Sequence, residues 1–214
     1  MEKKDYIIDE SLYSWDFNAE YKHPVEYLQF LLWVNDLIDI TKQLNSSPNK
    51  WYVDIFYIRL VGLFDVISGS TSIQKSEDDY TLRVKQCVSQ MYNALTDEEY
   101  IHLEYSRHIA AHPLQNGYDF FDMNGNKKDK LVHHMIRGEE KTVTYESIIR
   151  LNDEVACKYL NNGKSFASDM LNKLTLYILQ LQEGLYQRYV DAVKSVNLSP
   201  GCQMYETMTK IMTS

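Results

Sequence analysis

The chain has 214 residues, enough for one domain with a substantial core, and its 44% apolar and 24% charged residues are typical of a globular protein. Only 8 glycines and 4 prolines are present, too few for the many turns of an all-β protein, so the composition favours helices. The net charge of −8 excludes binding to nucleic acid through overall charge and confines any such contact to a local basic patch.

The cysteines and the N-terminal sequence indicate an intracellular environment. Cys87, Cys157 and Cys202 are far apart and form no CxxC pair, so the sequence indicates neither a zinc knuckle nor a disulfide framework. The first fifteen residues, MEKKDYIIDESLYSW, contain no apolar run of signal-peptide length. No segment reaches the roughly 18–20 apolar residues of a membrane span. We therefore predict a cytoplasmic protein with reduced thiols and no membrane association.

Apolar residues at helical spacing predict the first three helices. One stripe covers residues 24–41 and ends at the polar run NSSPNK, where a proline stops the helix. A second covers residues 53–67, closes at the sequence SGS, and has the apolar density of a central core helix. A third covers residues 80–95.

A capping box predicts the start of a fourth helix. Thr96 can accept the backbone N–H of Glu99 while the Glu99 carboxylate reaches back to Thr96. The helix therefore begins near Asp97, and Pro113 ends it. Three residues are expected on one face of this helix: Ile101, Tyr105 and Ile109.

Residues 114–142 interrupt this regular pattern. They contain Asn-Gly twice and no sustained period, which predicts a long inserted loop with at most a short strand or turn near 141–144. A fifth helix begins after Thr144 and stops at Gly163, and the last and longest begins with Ser165 as its cap and ends at LSPG. The predicted fold is all-α: an up-down bundle of about six helices with one inserted loop. It forms a single domain, 1–214, with its core at about 24–197 and a mobile tail at 198–214.

The run from Arg107 to His112, RHIAAH, is the densest group of chemically active side chains. An arginine is permanently charged and holds a phosphate through two parallel hydrogen bonds. A histidine takes or gives a proton near neutral pH. Together they form a minimal set for cleaving RNA without a metal: the histidine activates the 2′-hydroxyl, and the arginine stabilises charge developing at phosphorus.

This run resembles the signature of the HEPN superfamily (higher eukaryotes and prokaryotes nucleotide-binding), in which four to six residues separate an arginine from a histidine and the first residue after the arginine is polar. The motif covers six residues, and a looser architectural similarity covers about residues 24–195. The resemblance implies a helical bundle that forms a homodimer, with two motifs facing one cleft. It also implies a metal-independent endoribonuclease in a toxin–antitoxin or phage-defence setting, or a relative that binds RNA, an antitoxin or another protein without catalysis.

Carried over residue by residue, the resemblance makes Arg107 and His112 the catalytic pair and His108 the polar residue after the arginine. Many family members have asparagine at that position. His112 is followed by Pro113 and Leu114, so the branch that continues His-x-Tyr, and its modified tyrosine, is not matched. No cofactor and no metal are implied.

Several alternatives remain open at this point. In the simplest, RHIAAH is an ordinary helix end in which Arg107 pairs with Asp97 or Glu104 and His112 caps a carbonyl. A zinc site along the stripe Glu104, His108 and His112 is less favoured, because the zincin arrangement is missing. A basic cluster in the inserted loop is either solvated or contacts RNA; its members are Lys127, Lys128, Lys130 and Arg137. Arg59 and Asp65 are expected to form a structural ion pair. The alternative function is a catalytically inactive RNA-binding or protein-interaction module.

Overall fold

The computed structural model describes residues 24–47, 49–69, 73, 76, 78–111, 131–136 and 139–195. Within these ranges the chain forms seven α-helices and one β-hairpin. The elements are α1 (Pro24–Ser46), α2 (Lys50–Gly69), α3 (Asp79–Ala94), α4 (Asp97–Ala111), β1 (Leu131–Ile136), β2 (Glu139–Thr144), α5 (Tyr145–Asn161), α6 (Phe166–Gln180) and α7 (Leu185–Ser195). The predicted all-α bundle is confirmed. The predicted mobile tail, 198–214, lies outside the described residues.

Helix α2 is central, as its apolar density predicted. It packs between α1 and α4, while α1 also packs against α6 and α7, α3 against α6, and α4 against α5. Phe56, Leu60 and Phe64 of α2 are fully buried. Burial of each such side chain contributes roughly 1.5–3 kcal/mol. The third predicted stripe is also confirmed, because all six of its positions are buried: Tyr80, Val84, Cys87, Val88, Met91 and Leu95.

Helix ends follow the local sequence signals. The capping box at the start of α4 is present: Thr96 N donates to Glu99 Oε2 at 2.9 Å, and Glu99 N donates to Thr96 Oγ1 at 3.2 Å. Thr144 caps α5 by accepting from Ser147 N at 3.2 Å. Gly163, with φ of 61°, ends α5 in the left-handed conformation that glycine adopts without strain.

The predicted last helix, from Ser165 to LSPG, is wrong in one respect, because it divides into α6 and α7. Residues 181–184 form a turn, and Gly184 has φ of 80°. Leu181, the first residue of this turn, and Leu185, the first residue of α7, are both buried, so the apolar stripe stays in the core across the turn while α7 packs on α1. Ser165 occupies the N-cap position of α6, but its side chain makes no capping hydrogen bond.

The inserted segment predicted as a loop, 114–142, contains part of a β-hairpin. Strands β1 and β2 pair antiparallel, with Val132 opposite Val143 and His134 opposite Lys141. The expected short strand near 141–144 is therefore present and is longer than expected. Lys141 Nζ lies 3.1 Å from Asp97 Oδ2, which ties the hairpin to the start of α4.

None of the helices in the described ranges combines the length and the apolarity that crossing a membrane requires.

Candidate functional site

Arg107 and His108 lie near the C-terminal end of α4 and are both half-buried. The buried residues of this helix are Glu99, Tyr100, Ile101 and Leu103, all in its first half. Ile101, Tyr105 and Ile109 share one face of this helix as predicted, but burial decreases along that face: Ile101 is buried, Tyr105 is half-buried and Ile109 is 42% exposed. The last turn of α4 therefore projects towards the surface, where its side chains are accessible.

The Arg107 guanidinium pairs with a carboxylate on α2. Its Nη2 lies 3.3 Å from Asp65 Oδ2, and the two side chains are 32% and 54% exposed. A carboxylate partner was expected for Arg107 if the run is an ordinary helix end, with Asp97 and Glu104 as examples. The partner is a carboxylate, but it is Asp65, and Asp97 pairs with Lys141. Because about half of the Asp65 side chain is exposed, solvent screens its ion pair with Arg107. The ion pair therefore contributes little to the stability of the fold.

The expected ion pair between Arg59 and Asp65 is also wrong. Arg59 Nη2 lies 2.8 Å from Asp36 Oδ2 on α1, and its guanidinium stacks over the Trp33 ring at 4.1 Å. The close packing of α1 on α2 turns Arg59 away from Asp65. Asp65 is therefore available to form an ion pair with Arg107 of α4.

A small acidic and aromatic cluster surrounds the Asp65–Arg107 pair. Burial raises the pKa of Asp65, the charge of Arg107 lowers it, and the charge of Glu104 raises it again, with a net increase over its usual value. The rings of Tyr92 and Tyr100 lie 5.6 Å apart behind these groups. Burial raises the pKa of Tyr92 to about 12. The phenols of Tyr92 and Tyr100 are therefore neutral hydrogen-bonding groups, and among the described residues Asp65 and Glu104 supply negative charge beside Arg107.

The other predicted site residues lie outside the described part of the chain. His112 follows α4 directly in sequence but is not described. The same holds for the whole predicted basic cluster: Lys127, Lys128, Lys130 and Arg137. The alternative zinc stripe is described at Glu104 and His108 alone. Across the described ranges no three His, Cys, Asp or Glu side chains group in a way that would hold a metal ion.

An ionic network at the start of α4 escaped the sequence analysis. Lys173 on α6 pairs with Glu99 and, at 3.3 Å, with Asp169. Tyr159 on α5 donates to Asp169 at 2.6 Å and contacts Glu99 at 3.4 Å. The capping box identifies Glu99 as a local helix cap. Its ion pair with Lys173, 74 residues away, has no signature in the sequence.

The charges of this network stabilise one another. Burial raises the pKa of Asp169, but the hydrogen bond from Tyr159 and the charge of Lys173 outweigh it and hold the pKa below its usual value. Burial lowers the pKa of Lys173, but Glu99 and then Asp169 outweigh it and hold that pKa above its usual value. Each charge has a partner, so the network is suited to joining three helices rather than to moving protons.

His102 is a second group that the sequence analysis did not single out. Its Nδ1 lies 3.0 Å from Asn152 Oδ1 on α5, and its ring packs edge-on against Phe166 at 4.6 Å. An amide oxygen only accepts, so Nδ1 donates and carries the proton of the neutral ring. Burial lowers the pKa of His102, more than the Asn152 hydrogen bond raises it. His102 is therefore a neutral packed histidine that joins α4 to α5.

Comparisons with protein-family models, with curated proteins and with solved structures gave no match to this chain.

Proposed function

We propose that this chain is a HEPN-like protein that cleaves RNA without a metal ion, with Arg107 and His112 as its catalytic pair. The observation that carries the proposal is the position of Arg107 near the exposed end of α4. Its guanidinium is half-buried and held by one long contact at the surface, where a phosphodiester can reach it. An arginine kept for packing alone would be more fully enclosed and more completely paired.

The proposed chemistry needs only these groups and the substrate. The histidine takes the proton of an RNA 2′-hydroxyl, whose oxygen attacks the neighbouring phosphorus; the 5′-oxygen leaves and takes up a proton. Arg107 stabilises the negative charge that develops on the phosphoryl oxygens. His108, adjacent to Arg107 in the last turn of α4, is proposed as a second polar contact to the phosphate. The products are a 2′,3′-cyclic phosphate and a 5′-hydroxyl.

Dimerisation is part of the same proposal. The end of α4 exposes Ile109 and Ala111 next to Arg107. Pairing this end with a second copy would cover the exposed isoleucine and bring two arginines to one cleft. Light scattering of the purified chain tests this: we expect a dimer, and an Ile109→Asp variant that is folded, monomeric and inactive. A wild-type monomer that cleaves RNA would contradict the dimer.

The cleavage test uses single-stranded and structured RNA in the presence of EDTA. We expect cleavage with cyclic phosphate ends, and a loss of about 100-fold or more in rate for Arg107→Ala and for His112→Ala. Arg150→Ala is the matched control, because Arg150 is an exposed arginine on α5 whose neighbour is Glu154. Cleavage that persists in His112→Ala, or that stops in EDTA, would contradict the mechanism.

A specific observation supports the alternative function, a catalytically inactive interaction module. Arg107 already has a carboxylate partner in Asp65, as expected if the arginine stabilises a helix end. Under this alternative no RNA is cleaved, and a folded Arg107→Ala variant retains any partner that the wild type binds.

A further inference from the structure

In the proposed cleavage, the Arg107 guanidinium is the cation that binds the phosphate. In this structure it already forms an ion pair with Asp65. Asp65 belongs to α2 and reaches Arg107 across the α2–α4 interface. A carboxylate and a phosphate compete for the same N–H groups of a guanidinium, since both bind it through oxygen pairs. Asp65 therefore has a direct effect on any phosphate that binds there.

Arg107 is incompletely satisfied in this position. A charge-assisted contact between a guanidinium and a carboxylate is usually about 2.7–2.9 Å and often uses two parallel hydrogen bonds. Here the contact is 3.3 Å and involves Nη2. Nε is buried and has no hydrogen-bond partner among the described residues. Asp65 therefore uses only part of the hydrogen-bonding capacity of the Arg107 guanidinium.

The surroundings of Arg107 also disfavour an incoming anion. Asp65 and Glu104 both act on this position, since the charge of Glu104 raises the pKa of Asp65. The negative charge of Asp65, which directly contacts the guanidinium, repels an incoming phosphate. The Asp65 side chain is 54% exposed, however, and a screened surface pair of this kind is weak enough to be displaced.

We propose that Asp65 is an inhibitory latch on Arg107: it holds the guanidinium at rest, and an RNA phosphate must displace it to bind. The latch rests on the proposed function, because it regulates the same arginine. It lowers the affinity for RNA and leaves the chemistry, once the phosphate is bound, unchanged. A residue that positioned Arg107 for catalysis would have the opposite effect when removed.

The test measures binding of a fluorescent single-stranded RNA by anisotropy. Its riboses are 2′-O-methylated, so the nucleophile is blocked and the probe is not cleaved. The variants are Asp65→Asn, Arg107→Ala and the double variant. Asp36→Asn is the matched control: Asp36 also forms a surface ion pair with an arginine between two helices, and its loss changes the net charge equally.

We expect Asp65→Asn to lower the Kd by about two- to fivefold, the range of a lost competing surface ion pair. Asp36→Asn should leave the Kd close to that of the wild type. In the Arg107→Ala background, Asp65→Asn should have no effect on the Kd. Weaker binding in Asp65→Asn, or tightening no greater than in Asp36→Asn, would overturn the latch.

A second probe separates the latch from the proposed function. Inorganic phosphate is titrated into labelled protein while the NMR signal of the Arg107 Nε–H is followed, and Asp65→Asn should bind phosphate more tightly. If phosphate behaves this way but RNA is neither bound nor cleaved, the proposed function fails, and Asp65 is a latch against inorganic phosphate but not against RNA. If RNA is cleaved through Arg107 while Asp65→Asn changes neither affinity, only the latch fails. If neither probe responds, both fail.

Discussion

The two ends of α4 both carry ion pairs to other helices, but they differ in burial and in completeness. At its start, the Glu99 side chain is 12% exposed and Lys173 is 31% exposed, and Tyr159 and Asp169 complete the network. At its end, Arg107 makes one longer contact to Asp65, whose side chain is 54% exposed. One helix thus combines a start where the charges are buried and fully paired with an end where the ion pair is longer and more exposed.

This difference predicts which substitutions in α4 affect stability and which affect function. A charge withdrawn from water must be matched by several partners, and losing one of them is costly. A charge at the surface keeps its hydration and can exchange one partner for another. We therefore expect substitutions at the start of α4 to change folding, and substitutions at its end to change binding.

The largest effect is expected from Glu99→Ala. The substitution removes one of the two carboxylate partners of Lys173 and half of the capping box. We expect a loss of about 2–3 kcal/mol in the free energy of unfolding, measured by urea denaturation. The control is Glu98→Ala, at the exposed neighbouring position, with a change of at most about 0.5 kcal/mol. Equal losses in the two variants would show that the network does not anchor α4.

Thr96→Ala tests the other half of the capping box. The hydroxyl that accepts from Glu99 N is lost, and we expect a decrease of about 1 kcal/mol in the free energy of unfolding. Ser165→Ala is the control, since Ser165 occupies an N-cap position without a side-chain hydrogen bond. We expect Ser165→Ala to change the free energy of unfolding by only a few tenths of a kcal/mol, because no side-chain hydrogen bond is lost. A larger loss in Ser165→Ala than in Thr96→Ala would contradict the assignment of the caps.

Acid should weaken the ionic network at the start of α4. The pKa of Asp169 is lower in the folded protein than in the unfolded chain, so its contribution is present above about pH 4 and is lost as the pH falls through the folded value. Asp169→Asn should cost about 0.5–1 kcal/mol at pH 7. Its denaturation midpoint should also fall less steeply between pH 5 and pH 3 (about the carboxyl range) than that of the wild type.

The exposed Asp153→Asn variant on α5 controls for the loss of one negative charge. Parallel pH profiles for the wild type and Asp169→Asn would argue against a stabilising role for the Asp169 carboxylate.

The smallest effect on folding is expected at the end of α4. The pKa of Asp65 is higher in the folded protein than in the unfolded chain, so ionisation of Asp65 opposes folding at neutral pH and this penalty disappears as the pH falls. Solvent screens the exposed pair, so we expect Asp65→Asn to change the free energy of unfolding by no more than about 0.5 kcal/mol. A calorimetric loss well above this would mean that Asp65 anchors α4 as Glu99 does.

The local features of this fold could be read from the sequence because they depend on residues within four positions of one another. Thr96 and Glu99 are three residues apart, and their capping box is confirmed. Gly163 ends α5 as predicted. The division of the last predicted helix at Gly184 was missed, since the apolar stripe continues through it. Whether a helix with such a stripe is interrupted depends on the helix against which its second half packs.

The sequence by itself determined most of the helices, the caps at Thr96 and Thr144, and the position of Arg107 near the end of α4. Tertiary structure alone decided the partners of the charged groups: Arg59 with Asp36, Arg107 with Asp65, and Lys173 with Glu99. The physical reason is distance along the chain. Arg107 and Asp65 are 42 residues apart, and only the packing of α4 on α2 brings their side chains together.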